Sequence, residues 1–584
     1  MGDSIVSRLL ALDPSRPAVH LVRGHGKGGF RDEVLTVGDW LRGARASAAI
    51  LQSHGVRRGD RVLLCVPTGR SFLEKFLGAL WIGAVPVPLP SLEGFARPAA
   101  FVARLASVVG DASPTAVFAD RRTAAYLQSS GLVNDDLPVL EDSFVEGSAP
   151  EASPAEGMET AFIQYTSGST GTPRGVVVTA GNLAANVAAM GRALKLTPDD
   201  RVVSWLPLYH DMGLIGGLLA PAAHGAACWL LSPLEFLLRP ASWLQALSVA
   251  RATLTVAPNF AYGLVARKVA DADLSGLDFS SLRAAINGAE PVDPATAEAF
   301  CARLAPMGLR ASSYFPVYGL AESTLSVAFP PLDRGVKIDR VERAALAAGQ
   351  AVPAASAEGS VAVVSVGRAL EEVAIMASGG HDHEHLPERR LGEIIVRGPS
   401  VSPWYFEKHQ PRRERRTWLR TGDLGYLADG ELYVVDRLKD VIIVAGRNYA
   451  PTDIERTVEK VDGLRAGRSV AFGVPDEKHS TETLVIAAEV QPRSRANLAR
   501  LREAVRAALL EQIGLAPADV RLVHPGALSR TSSGKLMRRD ARERYLAGAL
   551  DRSHALQPML PIRLAQAVRA AVFRWLAARR ASQP

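Results

Sequence analysis

The sequence predicts an α/β protein, with a large N-terminal domain of doubly wound sheets plus a small β subdomain, followed by a small α+β C-terminal domain. Three observations support this fold class. Short apolar runs alternate with segments of helical length, which is the pattern of strands buried on both faces. Polar clusters directly follow four of these runs. From about Lys439 the chain changes to the pattern of a compact α+β unit.

The composition is that of a globular chain with several structural units. At 584 residues the chain is too long for one core, and its length suggests roughly three or four units. The three cysteines, Cys65, Cys228 and Cys301, lie far apart without metal-ligand spacing, which favours a reducing compartment. The first residues lack a basic flank followed by a long apolar core, so no signal peptide is predicted. We therefore expect a cytoplasmic location.

The net charge of +7 does not indicate nucleic-acid binding. From Asp551 onward, six arginines and one acid carry +5, so the preceding 550 residues carry only +2. No aromatic-basic RNA motif is present. The most apolar stretch, residues 213–231, is interrupted by Pro221 and His224. It predicts a buried helix followed by a strand, and no transmembrane segment.

The N-terminal part alternates between predicted helices and strands. Thr36 can cap a helix that runs through residue 50, with Gly55 ending it. Further elements repeat the alternation and are predicted as a strand at 62–66, a helix at 72–81, a strand at 84–89 and a similar α/β segment at 111–140. Residues 148–154, rich in Pro, Ala, Ser and Glu, are predicted to be a linker.

A loop rich in hydroxyls and glycine follows this linker, within residues 162–179, FIQYTSGSTGTPRGVVVT. Its glycines let successive backbone N–H groups converge on an anion, and small hydroxyls add donors without bulk. That composition suits a polyphosphate. The loop is not a Walker A motif, because the Gly-Lys-Ser/Thr ending is absent and the loop leads into a strand. Taken alone, a surface turn is an equally good interpretation.

Four later strands, predicted at 202–206, 253–256, 282–286 and 313–317, each end in a polar cluster. The clusters are PLYHD at 207–211, APN at 257–259, NGAE at 287–290 and YGLAES at 318–323. In doubly wound sheets, ligands bind outside the carboxyl ends of the strands. The four clusters therefore predict one shared site.

Residues 333–359 break this pattern and show no clear strand rhythm. Predicted strands at 391–397 and 431–435 indicate a smaller β unit. The HDHEH tract at 381–385 offers imidazoles and carboxylates to a metal, but its position beside two glycines favours a solvated turn. The four arginines within 412–416 predict an exposed charged face.

The C-terminal unit contains predicted strands at 440–445 and 484–490 and predicted helices at 452–461 and 498–510. It ends in SRTSSGK at 529–535, a loop that presents Lys535. Ser532 and Lys535 fit a Ser-x-x-Lys nucleophile pattern, but the accompanying Lys-Thr-Gly and Ser-Asp-Asn motifs are missing. A covalent-serine hydrolase of that kind is excluded.

The combined motifs resemble those of the adenylate-forming (acyl-activating) ligase superfamily, and within it most closely the fatty acyl-AMP ligases. The resemblance extends from about Thr36 to Arg539. It rests on YTSGSTGTPRG, LPLYHDMGLIGG, NGAEPV, YGLAEST, RTGDLGYL, DRLKDVIIVAGRNYAP and SRTSSGK. It implies ATP-dependent activation of a medium- or long-chain fatty acid to acyl-AMP, with Mg2+ and release of pyrophosphate. The acyl group would then pass to a thiol.

The resemblance also implies the site residues. Those implied to bind ATP or AMP are Thr166, Ser167, Gly168, Ser169, Thr170, Gly171, Arg174, Gly175, Gly288, Ala289, Glu290, Tyr318, Gly319, Ser323, Asp423 and Arg437. Loop 166–175 would hold the β- and γ-phosphates, Ser323 would lie near the α-phosphate, and Asp423 would accept hydrogen bonds from the ribose. Residues 288–290, with Tyr318, would form the adenine slot.

Four residues are implied to be catalytic. Lys535 would bridge the acyl carboxylate and the α-phosphate, and Glu322 would help to bind Mg2+. His210 would lie where the carboxylate meets the acyl tunnel, and Arg437 would contact the ribose or a phosphate. These residue types suit the chemistry, because the enzyme must hold two anions in line and neutralise charge as pyrophosphate departs.

Two positions depart from the family pattern. Arg174 stands where the family usually has lysine, which keeps the cation. Asp436 stands where glycine commonly precedes the arginine, which puts the local turn around Arg437 in question. Lys439 falls at the family's hinge, where the mobile C-terminal domain would rotate between adenylation and thiol transfer.

The acceptor is predicted from two features that resemble acyl-AMP ligases rather than acyl-CoA synthetases. One is the run from His210 to Leu214, and the other is a candidate insertion at about 333–366 that would disfavour CoA. The implied acceptor is the phosphopantetheine thiol of a separate acyl carrier protein or synthase, because no carrier-type segment follows Lys535. An ordinary loop expansion could give the same length, so a fatty acyl-CoA synthetase is the first alternative.

Two further alternatives are weaker. An amino-acid-activating domain is suggested only by Asp211, which sits near where those domains place an amino-binding aspartate. A non-catalytic adenylate-binding module would be expected to lack Lys535, Glu322 or Asp423, and all three are present.

The predicted domains are an adenylation domain at 1–438, a mobile lid domain at 439–545 and a basic tail at 546–584. In the tail, apolar residues recur at helical spacing between arginines. Such a helix could lie on anionic lipid or dock an acidic carrier protein, although packing on its own domain is more usual.

Overall fold

The computed structural model describes most of the chain in two compact units. The described residues are 4–25, 29–92, 98–134, 136–140, 150–166, 173–379, 385–406, 418–444, 447–476, 481–530 and 536–550. The first unit ends at Val441 and the second begins at Ile442.

The N-terminal segment of the first unit confirms the predicted alternation of helices and strands. Its elements are α1 (Ile5–Leu10), β1 (Pro17–His25), β2 (Gly29–Thr36), α2 (Val37–Ser53), β3 (Arg61–Cys65), α3 (Arg70–Trp81), β4 (Val85–Pro88), α4 (Pro98–Ala112), β5 (Ala116–Ala119), α5 (Arg121–Ser129) and β6 (Val139–Leu140). Thr36 caps α2 as predicted, and its hydroxyl oxygen accepts a hydrogen bond from the backbone N–H of Asp39. Strands β4, β3, β5 and β6 form one parallel sheet in that order.

The central segment supplies most of a second sheet. Its elements are β7 (Thr160–Thr166), β8 (Arg174–Thr179), α6 (Ala180–Leu194), β9 (Arg201–Ser204), α7 (Ala220–Ala223), β10 (Ala227–Leu231), α8 (Pro233–Leu238), α9 (Ala241–Val249), β11 (Leu254–Ala257), α10 (Asn259–Lys268), β12 (Ala284–Asn287), α11 (Pro294–Leu304), β13 (Tyr314–Pro316), β14 (Tyr318–Gly319) and β15 (Ser326–Phe329). The sheet order is β13-β12-β11-β9-β10-β1-β2, and its pairs are parallel except at β2.

This order brings the four predicted polar clusters to one edge. Strands β9, β11, β12 and β13 are successive neighbours, and parallel pairing places their carboxyl ends on the same side. Burial is the driving force, because the side chains of β9 and β11 are almost all covered.

The apolar stretch after β9 is a helix followed by a strand, as predicted, but the helix is of the π type. It spans Met212–Leu219, and the N–H of Ala220 donates to the carbonyl of Ile215, five residues earlier. The helix type could not be predicted from the sequence, because an apolar run rich in glycine fits an α- or a π-helix equally well.

The third segment forms the small β subdomain. Its elements are β16 (Ile338–Glu342), α12 (Arg343–Ala347), β17 (Ser360–Val364), β18 (Arg368–Ala369), β19 (Ala374–Ser378), β20 (Gly392–Arg397), β21 (Tyr405–Phe406), β22 (Leu419–Ala428) and β23 (Glu431–Arg437). Its largest sheet has the order β19-β20-β22-β23, and β21 instead joins β8 and β7 in a separate sheet.

Residues 333–359, which show no clear strand rhythm in the sequence, do contain regular structure. They contain β16, which pairs antiparallel with β17, and the short helix α12. In β16 only Val341 is fully buried, so no apolar alternation marks the strand in the sequence.

The second unit is α+β, as predicted. Its elements are β24 (Ile442–Val444), β25 (Arg447–Tyr449), α13 (Pro451–Glu459), β26 (Leu464–Asp476), β27 (Thr481–Val490), α14 (Leu498–Ile513), β28 (Asp519–Val523) and α15 (Arg538–Leu546). Strands β26, β27 and β28 form one sheet, antiparallel at the first pair and parallel at the second. Ile454, Val458, Ile486, Val505 and Leu509 are buried in one of its apolar clusters.

The described residues contain neither a membrane-spanning helix nor a cluster of metal-ligating side chains. None of the helices there has the length and apolar content needed to cross a bilayer. Within the same ranges, no group of three or more His, Cys, Asp or Glu side chains is arranged to hold a metal ion. The predicted turn at 381–385 lies outside the described residues except for His385.

Candidate active site

The strands that flank the predicted phosphate loop pair with each other. Thr166, at the end of β7, lies opposite Arg174, at the start of β8. The loop residues Ser167, Gly168, Ser169, Thr170 and Gly171 lie outside the described residues. Gly175 is packed tightly, because a Cβ there would lie 2.9 Å from Ile163 Cγ2 and 3.0 Å from Tyr165 Cζ. The strand after the loop therefore requires glycine for close packing.

Strand β21 connects this loop exit to Glu322. The Tyr405 hydroxyl donates a hydrogen bond of 2.8 Å to Glu322 Oε1. The Arg174 guanidinium lies over the ring of the same tyrosine, with Cζ 5.5 Å from the ring centroid. Tyr405 was not predicted as a site residue, because a two-residue strand is too short to show a periodic pattern in the sequence.

A tight turn follows Glu322. Thr324 adopts φ 65° and ψ −60°, and the backbone N–H of Leu325 donates to the Ser323 carbonyl at 2.7 Å. This is a γ-turn of the rare, strained kind with positive φ, and such strain concentrates at functional sites. The Thr324 hydroxyl donates to the Ser400 carbonyl at 2.7 Å, which holds the turn in place. Ser323 is fully buried beneath it.

Gly319 allows the backbone on either side of this turn to come close together, because it has no side chain. A Cβ at Gly319 would lie 2.0 Å from the Leu325 carbonyl oxygen, which is far inside van der Waals contact. The same carbonyl accepts a hydrogen bond from the Leu320 backbone N–H at 2.8 Å. The glycine predicted for nucleotide binding therefore has a clear steric requirement.

Three of the predicted nucleotide-binding side chains lie together. The Tyr318 hydroxyl donates to Asp423 Oδ2 at 2.6 Å, and Arg437 Nε lies 3.6 Å from Asp423 Oδ1. The Asp423 side chain is 17% exposed and that of Arg437 61% exposed. Burial, and then the neighbouring Asp423 charge, raise the pKa of Tyr318 well above its usual range, so the phenol remains a donor.

The local backbone explains how this trio forms. Asp423 in β22 lies directly opposite Arg437 in β23. The backbone N–H of Asp423 donates to the Thr421 hydroxyl at 3.1 Å. The Asp436 carboxylate, at the position where the family usually has glycine, accepts from the Arg437 backbone N–H at 2.8 Å. The aspartate is thus accommodated beside a shift in the β22–β23 register, and β23 continues through Arg437.

The predicted adenine-slot residues follow β12. Ala289 has φ +67°, a left-handed conformation that residues other than glycine rarely adopt. A Cβ at Gly288 would lie 2.8 Å from Val317 Cγ2. Glu290 Oε2 accepts a hydrogen bond from the Phe260 backbone N–H at 3.0 Å, in the first turn of α10. The glutamate therefore also has a structural role as a cap.

Asn287, just before these residues, supports the turn, a role that was not predicted from the sequence. Its side-chain amide donates to Asn259 Oδ1 at 3.1 Å and to the Tyr314 hydroxyl at 2.7 Å. The Asn287 side chain is fully buried, and its Oδ1 has no hydrogen-bond partner among the described residues. A buried Asn in an NGAE segment carries no sequence signal that separates support from ligand binding.

His210 lies at the start of the segment that leads into the π-helix. Its backbone carbonyl accepts from the Leu214 N–H at 2.8 Å, and its ring lies 4.9 Å from the Tyr209 ring between centroids. Gln164 Nε2, in β7, donates to the Tyr209 carbonyl. This contact ties the strand before the phosphate loop to the segment that carries His210.

Asp211 is the residue directly before the π-helix and caps it, because its carboxylate accepts from the Met212 backbone N–H at 2.7 Å. Lys439 is exposed and lies in the turn after β23, two residues before the end of the first unit. Lys535 lies outside the described residues, so its predicted role rests on the sequence.

The comparisons with known proteins identify the family. The family model described as "AMP-binding enzyme" matches residues 10–406, and the model "Disco-interacting protein 2-like, AMP domain" matches residues 439–555. The chain is 36% identical over 555 residues to the long-chain-fatty-acid–AMP ligase FadD26 of Mycobacterium marinum, covering 89% of this chain and 93% of that protein. The chain belongs to the fatty acyl-AMP ligases. The predicted family, enzyme class and fold class are confirmed.

A solved structure and a further relative are also similar to this chain over most of its length. A solved structure from a study of fatty acyl-adenylate ligases from E. coli and L. pneumophila superposes with a TM-score of 0.86 at 32% identity, covering 93% of this chain and 98% of that one. The Mycobacterium tuberculosis (strain ATCC 25618 / H37Rv) protein FadD21, named a putative fatty-acid–CoA ligase, is 34% identical and covers 93% of this chain and 98% of its own length. The roles of individual site residues in this fatty acyl-AMP ligase remain predictions.

Proposed function

We propose that this fatty acyl-AMP ligase activates a medium- or long-chain fatty acid and delivers it to a carrier-bound thiol. A carboxylate oxygen attacks the α-phosphorus of ATP, the bond to the bridging oxygen breaks, and pyrophosphate leaves with that electron pair. A phosphopantetheine thiolate then attacks the acyl carbon, a C–S bond forms, and AMP leaves. The mixed anhydride stores the free energy that the thioester step requires.

The observation that carries this proposal is the trio Tyr318, Asp423 and Arg437. Two of them are joined by a 2.6 Å hydrogen bond, and an ionised carboxylate beside an exposed guanidinium suits vicinal hydroxyls and a phosphate. In the proposal, Asp423 binds the ribose and Arg437 makes a second contact to the ribose or a phosphate. Tyr318, with residues 288–290, flanks the adenine.

The phosphate side of the proposal rests on the loop between β7 and β8. Its hydroxyls, glycines and Arg174 would bind the β- and γ-phosphates. Ser323 would lie near the α-phosphate, with Lys535 as the cation for the charge that develops there. His210 is proposed for the junction of the carboxylate and the acyl tunnel.

Mg2+ fits this residue set only as a partner of the nucleotide. The described residues hold no cluster of three acidic or imidazole side chains, whereas Mg2+ is usually held by one or two carboxylates plus substrate phosphates. Glu322 is the carboxylate proposed for it. Mg2+, when bound, would neutralise phosphate charge.

The proposed acceptor is a separate holo acyl carrier protein or synthase domain. A fatty acyl-CoA synthetase is the alternative, and the similarity to fatty acyl-AMP ligases does not favour it. The antiparallel pair β16–β17 lies within the 333–366 segment that we propose excludes CoA. The cytoplasm is the proposed compartment, where both ATP and carrier thiols occur.

The test is to incubate the enzyme with ATP, Mg2+ and fatty acids of increasing chain length, and then to add CoA or a holo-carrier protein. We expect acyl-AMP to accumulate until a carrier is supplied. Abundant acyl-CoA would assign the alternative, a fatty acyl-CoA synthetase. Binding of acyl-AMP without turnover would assign a non-catalytic adenylate-binding module.

The basic tail is the proposed docking element for an acidic carrier protein. Truncation at Arg552 should slow carrier acylation and leave acyl-AMP formation unchanged. Slower adenylation in the truncated enzyme would assign the tail to stability instead. Binding of the full-length enzyme, but not the truncated one, to anionic vesicles would assign it to lipid.

A further inference from the structure

A two-residue strand ties the exit of the phosphate loop to the turn that carries Glu322. In β21, Tyr405 pairs with Val176 and Phe406 pairs with Gly175, so both residues lie beside the first residues of β8. Ser402, three residues before Tyr405, makes hydrogen bonds both to β8 and to Glu322. Its hydroxyl donates to the Val177 carbonyl at 2.6 Å, and its backbone N–H donates to the Glu322 carbonyl at 2.8 Å.

Tyr405 extends this backbone connection into the side chains. Its hydroxyl donates to Glu322 Oε1 at 2.8 Å, which fixes one oxygen of that carboxylate. Its ring lies beneath the Arg174 guanidinium at 5.5 Å, which restrains the cation at the loop exit. One half-buried side chain thus contacts both charged groups that are proposed for the Mg2+–triphosphate unit.

The charges explain why such a contact is needed. Arg174 and Glu322 carry opposite charges at the proposed polyphosphate site. Arg174 is exposed and Glu322 is half-buried, so each side chain would otherwise sample several rotamers. Carboxylates that bind metals are themselves usually hydrogen-bonded, and loss of that outer contact typically weakens metal affinity or activity 10- to 100-fold. A tyrosine satisfies both requirements, because its hydroxyl is a donor and its ring face attracts cations.

We propose that Tyr405 is a positioning residue that orients Glu322 for Mg2+ through its hydroxyl and Arg174 for the triphosphate through its ring. The proposal deepens the proposed function and rests on it. It predicts that the two halves of the side chain act separately. Loss of the hydroxyl affects Mg2+ dependence, and loss of the ring additionally affects the nucleotide.

The chain offers a matched control for the hydroxyl. Tyr426 donates to Asp339 Oδ2 at 2.9 Å, in the same unit and with the same kind of partner. Tyr426 lies in the RTGDLGYL motif, but it is not one of the residues implied to bind the nucleotide or to act in catalysis. Tyr405→Phe and Tyr426→Phe therefore remove equivalent hydrogen bonds, one at the proposed site and one outside it.

The first measurement is calorimetric titration of Mg2+ into the enzyme with a non-hydrolysable ATP analogue, without fatty acid. For Tyr405→Phe we expect Mg2+ affinity to fall about 10-fold, with a thermal unfolding temperature no lower than that of Tyr426→Phe. Tyr405→Leu should weaken analogue binding about two- to fivefold further. Tyr426→Phe should bind like the unaltered enzyme.

The second measurement is acyl-AMP formation as a function of Mg2+ concentration. For Tyr405→Phe the half-maximal concentration should rise about 10-fold, while the rate at saturating Mg2+ approaches that of the unaltered enzyme. Equal Mg2+ affinity in Tyr405→Phe and the unaltered enzyme would overturn the proposal. Equal losses in both phenylalanine variants would also overturn it, because the role would then be structural.

The two experiments separate this proposal from the proposed function. An enzyme that binds the Mg2+–ATP analogue but makes no acyl-AMP contradicts the proposed function, and the calorimetric comparison still decides the role of Tyr405. An unaltered enzyme whose binding of the analogue does not depend on Mg2+ contradicts the assignment of Tyr405.

Discussion

The Tyr318 hydroxyl and the Asp423 carboxylate are 2.6 Å apart, although 105 residues separate them in the chain. Tyr318 begins β14, in the three-stranded sheet β14-β15-β18, and Asp423 lies in β22 of the small β subdomain. The hydrogen bond therefore joins two sheets of the first unit at the proposed nucleotide site.

Asp423→Asn should weaken ATP binding. The amide lacks the charge that strengthens hydrogen bonds from ribose hydroxyls, and such charged bonds contribute about 1.5–3 kcal/mol. We expect KM for ATP to rise about 10- to 100-fold, measured by pyrophosphate release. Asp339→Asn is the control, because Asp339 also accepts from a tyrosine and an arginine, each at 2.9 Å. A similar KM in both variants would contradict the ribose assignment.

Lys535→Ala should slow acyl-AMP formation. If this lysine supplies the cation at the reacting phosphate, its loss should lower kcat for adenylation about 100- to 1,000-fold. Single-turnover formation of acyl-AMP is the direct measurement. The control is Lys460→Ala, an exposed lysine of the second unit at the end of α13. An unchanged adenylation rate in the Lys535 variant would remove the central catalytic assignment.

Gly319→Ala should destabilise the first unit. The added methyl group would lie 2.0 Å from the Leu325 carbonyl oxygen, so the backbone must shift, at a cost of about 2–3 kcal/mol. Urea unfolding measures the loss. Gly110→Ala in α4 is the matched control, because no heavy atom lies within 4 Å of the new methyl group. That change should be neutral or stabilise by up to about 1 kcal/mol.

Alkaline pH should destabilise the first unit through its cysteines. Burial raises the pKa of Cys65 and Cys228 to about 12 and that of Cys301 to about 11, from a usual value of 9.0. Each thiol thus stays protonated in the fold when the unfolded chain has already ionised. Stability is then complete below about pH 8 and falls above pH 9, by roughly 1 kcal/mol per thiol at pH 9.5.

Urea unfolding between pH 7 and 9.5 measures this dependence. A variant with all three cysteines replaced by alanine should show a flatter pH profile, whatever its absolute stability. Because buried thiols stay protonated, thiol reagents should also react slowly with the native enzyme at pH 8. A pH profile that is as steep without the cysteines would assign the loss to other groups.

The sequence was sufficient for most of the fold, because burial on both faces leaves a visible signal. Strands β3, β9, β11 and β12 are short apolar runs bounded by turn residues, and α2 carries its cap at Thr36. Parallel pairing then dictates that their carboxyl ends share an edge. The roles proposed for Glu322 and Asp423 come from the motifs and stay predictions.

The contacts between distant segments could not be predicted in this way. The pairing of Tyr405 with Val176 is set by the packing of β21, a strand of two residues without any period. The hydrogen bond from Tyr405 to Glu322 spans 83 residues and follows from that pairing. Strand β16 is mostly exposed, so its sequence resembles that of a loop.

The π-helix at Met212–Leu219 has a consequence for engineering. Its N–H groups reach back five residues rather than four, so each turn holds more residues than an α-helical turn. Deleting Gly216 would allow the segment to relax into ordinary α-helical hydrogen bonding. Because six of the eight residues of this segment are buried, such a change in its hydrogen bonding would act directly on the packing of the surrounding core.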